Sequence, residues 1–310
     1  MYKIFLILIT VFFVGCSAKT PITWDKRITN THIEPVDLVY SEYGKEHKKS
    51  MLFIHGFGES QYTWRFLVEK LSKKYHIYTL DLKGFGESPK TDDDDYSVYD
   101  QAVLVQKFME KHQIKDTTVV GRSFGGGVAL VLALMQNEKS KSIDKKTDKR
   151  IDKLVLIDSM SYNQRLPSML RDLKIPFFGF LAIHLFSDAW IVESGYKYAF
   201  FNDSLIPKES LTYAEKMLSL PLAKSAYLKC VHCLVPDDIE KIEKKYKEIT
   251  LPTLILWGED DVSIRVDKAK RLHHDLPNSR LKIFKKTGHM PQEERPKEVL
   301  EEIEKFMEKI

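Results

Sequence analysis

A serine between two glycines constrains this chain more than any other feature of its sequence. Gly121 and Gly125 each lie two residues from Ser123, between a run of β-branched residues and an apolar stretch. The pattern predicts a strand, a sharp turn with Ser123 at its apex, and a helix. Flanking side chains would collide in so tight a turn, which favours glycine on both sides. The helix would aim its free N–H groups at Ser123, where they would stabilise a developing negative charge.

Strand and helix patterns alternate along most of the chain. A strand is predicted at residues 33–40, and short apolar runs typical of buried parallel strands follow it. These runs are residues 51–54, 76–80, 117–120, 153–157, 253–256 and 281–284. Helical patterns separate most of them, and such an order predicts an α/β fold with a mostly parallel sheet flanked by helices. Residues that follow the strands should then meet at one edge of the sheet.

One long segment interrupts this alternation. Residues 160–249 have helical patterns and many aromatic side chains, and they predict a helical cap inserted into the sheet domain, with residues 33–159 and 250–310 as the core. The apolar cap favours a hydrophobic acyl or aryl substrate, although aromatic side chains in such a segment more often serve packing. The lysine-rich residues 138–150 predict an exposed loop.

The chemistry of a serine nucleophile points to two further groups. A hydroxyl is a weak nucleophile, so it needs a base, and the base needs a carboxylate to orient it. His289 follows the last predicted strand, directly after a glycine. Asp260 and Asp261 follow residues 253–256, and Asp158 follows residues 153–157. The residues themselves leave these three carboxylates open as partners of the histidine.

Several of these motifs together resemble the α/β-hydrolase superfamily, in its capped, esterase- or lipase-like branch. They are His55-Gly56-Phe57-Gly58, the segment from Asp81 to Ser88, Gly121 to Gly125, Trp257 to Asp261, and Gly288-His289. The resemblance covers the chain from about residue 33 to its end. It implies the catalytic order serine, acid, histidine, which here is Ser123, Asp261 and His289. Asp260 and Asp158 are the alternatives for the acid. The resemblance also implies an oxyanion hole made by the backbone N–H groups of Phe57 and Phe124.

The resemblance implies a serine hydrolase that cleaves small-molecule hydrophobic esters and needs neither a metal nor an organic cofactor. A serine at position 123, where some relatives carry aspartate, argues against an epoxide hydrolase or a dehalogenase. Two other functions stay open. One is a carbon–carbon bond hydrolase of the same fold, and the other is a surface lipoprotein that binds ligands without catalysis.

The amino-terminal residues resemble a bacterial lipoprotein signal. A basic start is followed by an apolar run at residues 4–14, which ends at Phe13-Val14-Gly15-Cys16-Ser17. We expect cleavage before Cys16, lipidation of its thiol, and a polar tether over residues 16–32. Acyl chains would then hold an exported protein on a membrane without spanning it, and Ser17 favours the outer membrane, facing the periplasm. A plain secretory signal and an uncleaved anchor are the alternatives.

The net charge and the two remaining cysteines argue against two classes of binding partner, nucleic acid and zinc. Nucleic-acid binding needs a concentrated basic face, and a net charge of +4 over 310 residues gives no case for one, so nucleic acid is not an expected partner. Cys230 and Cys233 form a C-x-x-C pair with no second pair of ligands, which argues against zinc. Buried thiols are the favoured interpretation and a disulfide is the alternative.

Overall fold

A seven-stranded sheet organises the computed structural model, which describes residues 36–142, 150–175 and 177–308. The strand order is β1-β3-β2-β4-β5-β6-β7, with β1 antiparallel to β3 and every other pair parallel. The strands are β1 (Tyr40–Tyr43), β2 (Ser50–Ile54), β3 (His76–Leu80), β4 (Thr117–Arg122), β5 (Ile151–Ile157), β6 (Thr253–Gly258) and β7 (Ser279–Phe284). The predicted mostly parallel α/β sheet is confirmed.

Helices cover both faces of this sheet. They are α1 (Arg65–Leu71), α2 (Val98–Lys111), α3 (Phe124–Ser142), α4 (Ser168–Leu173), α5 (Phe178–Leu185), α6 (Asp188–Ala199), α7 (Lys208–Leu218), α8 (Ala223–Cys233), α9 (Ile239–Glu243), α10 (Val266–Asp275), α11 (Pro291–Glu294) and α12 (Pro296–Glu308). One core layer packs α2 and α3 on the sheet, and a second packs α1 and α12 on its other face. Because both faces are covered, β2, β4 and β6 are buried along their whole length.

The first strand differs from its prediction. It spans Tyr40–Tyr43 rather than residues 33–40, and it pairs with β3. The Tyr40 ring packs at 5.1 Å from the ring of Phe108 on α2, while Glu42 accepts a hydrogen bond from His76 at the sheet edge. An edge strand with one apolar anchor and one charged side chain lacks the apolar alternation that reveals a half-buried strand. Residues 33–35 lie outside the described part of the chain.

The third helix runs further than expected. It continues to Ser142, into the segment predicted as an exposed loop. Residues 135–138 are Met, Gln, Asn and Glu, and three of these are good helix formers. Asn137 adds a 2.8 Å hydrogen bond to the carbonyl oxygen of Glu248. Residues 143–149 lie outside the described part of the chain.

Between β5 and β6 the chain forms the helices α4 to α9, which we call the insertion. Cys230 and Cys233 lie on α8 as thiols, and Cys230 is fully buried. Burial raises the pKa of the Cys230 thiol well above its ordinary value, which favours the thiol over the reactive thiolate. Across the described residues, we find no helix with both the length and the apolar character needed to cross a membrane.

Candidate active site

The turn between β4 and α3 places Ser123 in strained backbone geometry. Its φ is +50°, in the left-handed region that side chains disfavour, and α3 begins at the next residue, Phe124. A Cβ atom on Gly121 would overlap the carbonyl oxygen of Gly125, and one on Gly125 would overlap that of Ile54. The structure therefore confirms the reason for glycine on both sides of the serine.

Three of the predicted residues meet at the carboxyl edge of the sheet. His289 Nε2 lies 2.9 Å from Ser123 Oγ, and His289 Nδ1 lies 2.6 Å from Asp261 Oδ2. Their exposed fractions are 8% for Ser123, 7% for His289 and 4% for Asp261. The other carboxylate oxygen of Asp261 accepts the backbone N–H groups of Ser263 and Ile264, at 2.7 and 2.9 Å. These two bonds fix the carboxylate against the imidazole.

The two alternative acids occupy different places. Asp260 is exposed, whereas Asp158 is fully buried beside Asp261. Asp158 Oδ1 accepts the Gly258 N–H at 3.0 Å, and its Oδ2 has no hydrogen-bond partner among the described residues. Burial, and then the nearby charge of Asp261, raises the pKa of Asp158 well above its ordinary value. Both effects favour the protonated form of the Asp158 carboxyl group over its carboxylate.

Asp158, Asp261 and His289 also bring ligand-type atoms within 4.8 Å of one another. These atoms already have roles in the hydrogen bonds described above, since His289 Nδ1 and Asp261 Oδ2 bind each other. A cation at this point would have to break that bond. The arrangement therefore fits proton transfer better than metal binding.

The predicted oxyanion residues flank the serine. Phe124 is the first residue of α3, so its N–H has no acceptor within the helix. Phe57 follows His55 and Gly56 in the loop after β2, and both phenylalanines line the same pocket as Ser123 and His289. His55 Nδ1 lies 2.7 Å from the Gly56 carbonyl oxygen, and its Nε2 accepts the Leu82 N–H at 2.9 Å. His55 therefore holds this loop in place.

A buried ion pair ties three loops of the site together. Arg122 precedes the serine, and its Nη1 lies 2.5 Å from Glu59 Oε1 while its Nη2 donates to the carbonyl oxygen of His289. Glu59 Oε2 in turn accepts the Gly56 N–H at 2.9 Å. The exposed fraction of the two side chains is only 3% for Arg122 and 10% for Glu59. One pair of charges thus positions the serine turn, the Phe57 loop and the histidine loop.

We expect Arg122→Met to destabilise the fold by about 3–5 kcal/mol, because Glu59 would be left as a buried charge without a partner. Urea unfolding of the purified variant measures this loss. The matched control is the double variant Glu59→Gln/Arg122→Met, which removes both charges and should be the more stable of the two. A loss below about 1 kcal/mol for the single variant would mean that the pair behaves as a surface ion pair.

The insertion holds the histidine loop from the other side. The His289 N–H donates to the Ala199 carbonyl oxygen at 2.6 Å, at the end of α6. The Glu294 carboxylate accepts the N–H groups of Gly288 and Phe201 at 2.8 and 2.9 Å. A Cβ atom on Gly288 would overlap the backbone of Ala199 and Phe201. The backbone of the insertion and that of the histidine loop therefore form one packed unit.

A cavity of about 200 Å³ opens in front of Ser123. Its core side carries Phe57, Phe85 and Phe124, and its insertion side carries apolar residues that include Leu170, Ile191, Val192, Met217 and Tyr227. The Phe57 ring lies 4.4 Å from the Tyr227 ring and 5.6 Å from the Phe85 ring. The space next to the serine is thus walled by aromatic and aliphatic side chains.

Burial sets the protonation of the histidine. It lowers the pKa of His289 from the ordinary value of 6.5, the Asp261 charge opposes this shift, and the Arg122 charge adds to it. The imidazole is thus neutral, and able to accept a proton, over a wider range of pH than an exposed histidine.

We therefore expect kcat/KM to fall on acidification only through a pKa below 6.5, since protonating His289 removes the base and a lowered pKa moves that step to lower pH. Initial rates on a soluble ester over about five pH units, from about pH 4 to about pH 9, measure this limb. An acid limb centred above 6.5 would contradict the expected sign.

Four residues that shape the site are absent from the sequence predictions. They are Glu59, Arg122, Ala199 and Glu294. A signal existed for Arg122, because an arginine that ends an apolar strand must either reach water or find a buried partner. The backbone contact of Ala199 has no signal of this kind, since any residue can supply a carbonyl oxygen.

The chain is similar to known proteins over most of its length. A family model described as alpha/beta hydrolase fold matches residues 49–296. The chain is 31% identical over 284 residues to the uncharacterized hydrolase YugF of Bacillus subtilis (strain 168), covering 89% of this chain and 96% of that protein. It is 26% identical over 275 residues to Lipase 3 of Moraxella sp. (strain TA144), covering 87% and 80%. A crystal structure of an alpha/beta hydrolase fold protein from Burkholderia ambifaria superposes with a TM-score of 0.74 at 20% identity, covering 86% and 93%.

Proposed function

The chain belongs to the α/β-hydrolase fold family and is a hydrolase, and from this premise we propose that it is a serine esterase that cleaves carboxylic esters of hydrophobic acyl or aryl groups. The observation that carries the proposal is the hydrogen-bonded row of Ser123, His289 and Asp261 at the floor of an apolar cavity. A hydroxyl that is 2.9 Å from a buried imidazole can be deprotonated as it attacks.

The proposed reaction has two halves. Ser123 Oγ attacks the ester carbonyl while His289 Nε2 takes its proton, and His289 then passes this proton to the leaving alcohol. Asp261 keeps the imidazole in the tautomer with hydrogen on Nδ1 and stabilises the charge that forms on it. The N–H groups of Phe57 and Phe124 stabilise the negative oxygen of each tetrahedral intermediate. Water, activated by His289, releases the acid from the acyl-enzyme.

The walls of the cavity support a hydrophobic substrate. The wall of the cavity around Ser123 is mostly aromatic and aliphatic, and it offers few polar groups that could bind a charged acyl chain. Lipase 3 of Moraxella, which shares 26% identity, carries a name that fits this class of substrate. The ester bond and the hydrophobic acyl or aryl group are parts of the proposal.

A fluorophosphonate probe and a series of aryl esters of rising chain length test the proposal. We expect one covalent adduct, located on Ser123 by peptide mass spectrometry, and turnover of the esters. A folded protein that takes up no probe would contradict the serine nucleophile. Turnover of a ring-cleavage diketone but of no ester would instead support carbon–carbon bond hydrolysis, and binding without turnover or labelling would support the non-catalytic lipoprotein.

We also propose that the protein is exported and held on a membrane, at the outer membrane facing the periplasm, through lipid on Cys16. The support is the apolar run at residues 4–14 and the sequence around Cys16. These residues lie outside the described part of the chain.

The variant Cys16→Ala tests the anchor. We expect the protein to move from the membrane fraction to the soluble fraction and to lose incorporation of labelled palmitate, because its acyl chains would have no attachment site. Cys233→Ala removes a thiol of the insertion and serves as the control, with fractionation unchanged. An unchanged membrane fraction for Cys16→Ala would show that acylation of this thiol is not the anchor.

A further inference from the structure

The outer surface of the insertion is apolar and exposed. Of the fifteen large apolar side chains that are exposed among the described residues, ten lie between residues 175 and 201. Residues 175–186 contain no Asp, Glu, Lys or Arg. We call the apolar face the side chains of Phe177, Phe178, Phe180, Leu181, Leu185, Phe186 and Trp190. Water-soluble proteins rarely leave so large a connected apolar surface uncovered.

The short helix α5 forms the centre of this face. Only Gly179 and Ile183 of its eight residues are buried, while Phe177 before it is 79% exposed and Leu185 at its end is 70% exposed. Gly179 lies so close to the Leu173 carbonyl oxygen that α5 packs directly against the end of α4. With this contact, most of the other side chains of α5 are exposed on the outer surface.

The apolar face lies on the back of the wall that lines the cavity. Helix α4 supplies Met169 and Leu170 to the cavity, and α6 supplies Ile191 and Val192, next to Trp190 of the apolar face. The same two helices therefore border both the cavity and the exposed surface.

We propose that the apolar face docks on a phospholipid bilayer, with α5 lying in the plane of the membrane interface. Arg165, Arg171 and Lys174 precede the apolar face with only Asp172 among them, a charge pattern that suits anionic headgroups. Trp190 and Tyr198 are exposed on α6 and belong to the residue types that concentrate at membrane interfaces. A helix of eight residues is about 12 Å long, which suits an interfacial position.

The chain before the described residues permits this contact. Residues 17–35 can span at most about 65 Å, so a protein held by Cys16 could still turn this face to the same membrane. Docking would add a second membrane contact to the proposed anchor. The docking surface does not depend on esterase activity.

Quenching of tryptophan by brominated lipids tests the contact in the full-length protein. The protein is placed in vesicles of phosphatidylcholine and phosphatidylglycerol, with or without bromine on the acyl chains. Trp64 and Trp257 are fully buried, and Trp190 is 48% exposed. We expect bromine to lower the emission of the wild type, and Trp190→Phe, which leaves Trp24 in place, to lose most of this quenching.

Two variants of the apolar face complete the experiment. Phe177→Ser/Phe180→Ser and Leu185→Glu should each reduce the quenching of Trp190 by about half or more, because they remove apolar area or add a charge at the interface. Near-ultraviolet circular dichroism reports whether each variant is folded. Because the two variants change different exposed residues, each tests the contact independently of the other.

Quenching of the wild type no greater than that of Trp190→Phe would overturn the proposal, as would unchanged quenching in both folded variants. If the apolar face is covered by a second copy, quenching is absent and cross-linking in the vesicles yields a dimer. If residues 4–14 cover it, quenching is absent and the protein is a monomer. Either result would mean that a second copy or residues 4–14, and not a bilayer, covers the apolar face.

Discussion

Ser123→Ala lowers kcat on any accepted ester by about 10⁴-fold or more, because removing the nucleophile leaves only binding and the oxyanion donors. The cavity walls are unchanged by the loss of one oxygen, so KM should stay near its wild-type value. The same variant should take up no fluorophosphonate.

The matched control is Ser219→Ala, the same substitution at an exposed serine beyond α7. It should retain wild-type rate and labelling. Single-turnover measurements separate residual activity of the variant from contaminating wild type. A Ser123→Ala protein that retains more than about a tenth of the rate would rule out a covalent mechanism at this residue.

Asp261→Asn is the second large effect that we expect. An amide at this position donates where the carboxylate accepts, so it favours the wrong tautomer of His289, and kcat should fall by about 10⁴-fold. The fold should persist, since the backbone N–H groups of Ser263 and Ile264 can still donate to the amide oxygen. Unfolding curves and kcat together distinguish a catalytic loss from a structural one.

The other two acids provide matched controls for this variant. Asp158→Asn should cost less than about 10-fold, because an amide has nearly the same shape as a carboxyl group and its oxygen can also accept the Gly258 N–H. Asp260→Asn, at an exposed position, should have no effect. If Asp158→Asn were the damaging substitution and Asp261→Asn the mild one, the assignment of the acid would be reversed.

Much of the fold could be predicted from the sequence because its signals are local. Buried strands such as residues 76–80 are short apolar runs, and their order along the chain implies a parallel sheet. Since parallel strands end at one edge, Ser123, Asp261 and His289 could be expected to meet. The glycine spacing around the serine reports the geometry of a single turn, which neighbouring residues decide.

The remaining features depend on contacts that the sequence order hides. Glu59 and Arg122 are 63 residues apart, and Arg122 and His289 are 167 apart. The first strand carries one apolar anchor at Tyr40, and its place is decided by α2 and β3 rather than by its own pattern. To predict a contact of this kind, the positions of two elements distant in sequence must both be known. The periodicity of apolar residues gives information only about single elements.

The hydrogen bond from His289 to Ala199 means that the insertion is not an exchangeable module. A chimaera that received the corresponding helices of a relative between β5 and β6 would also have to reproduce the turn at residues 199–201. Without it, the loop that carries His289 would lose the hydrogen bond from the His289 N–H to the Ala199 carbonyl oxygen, and Glu294 would lose the Phe201 N–H. A change in the insertion can therefore shift the catalytic histidine as well as the wall of the cavity.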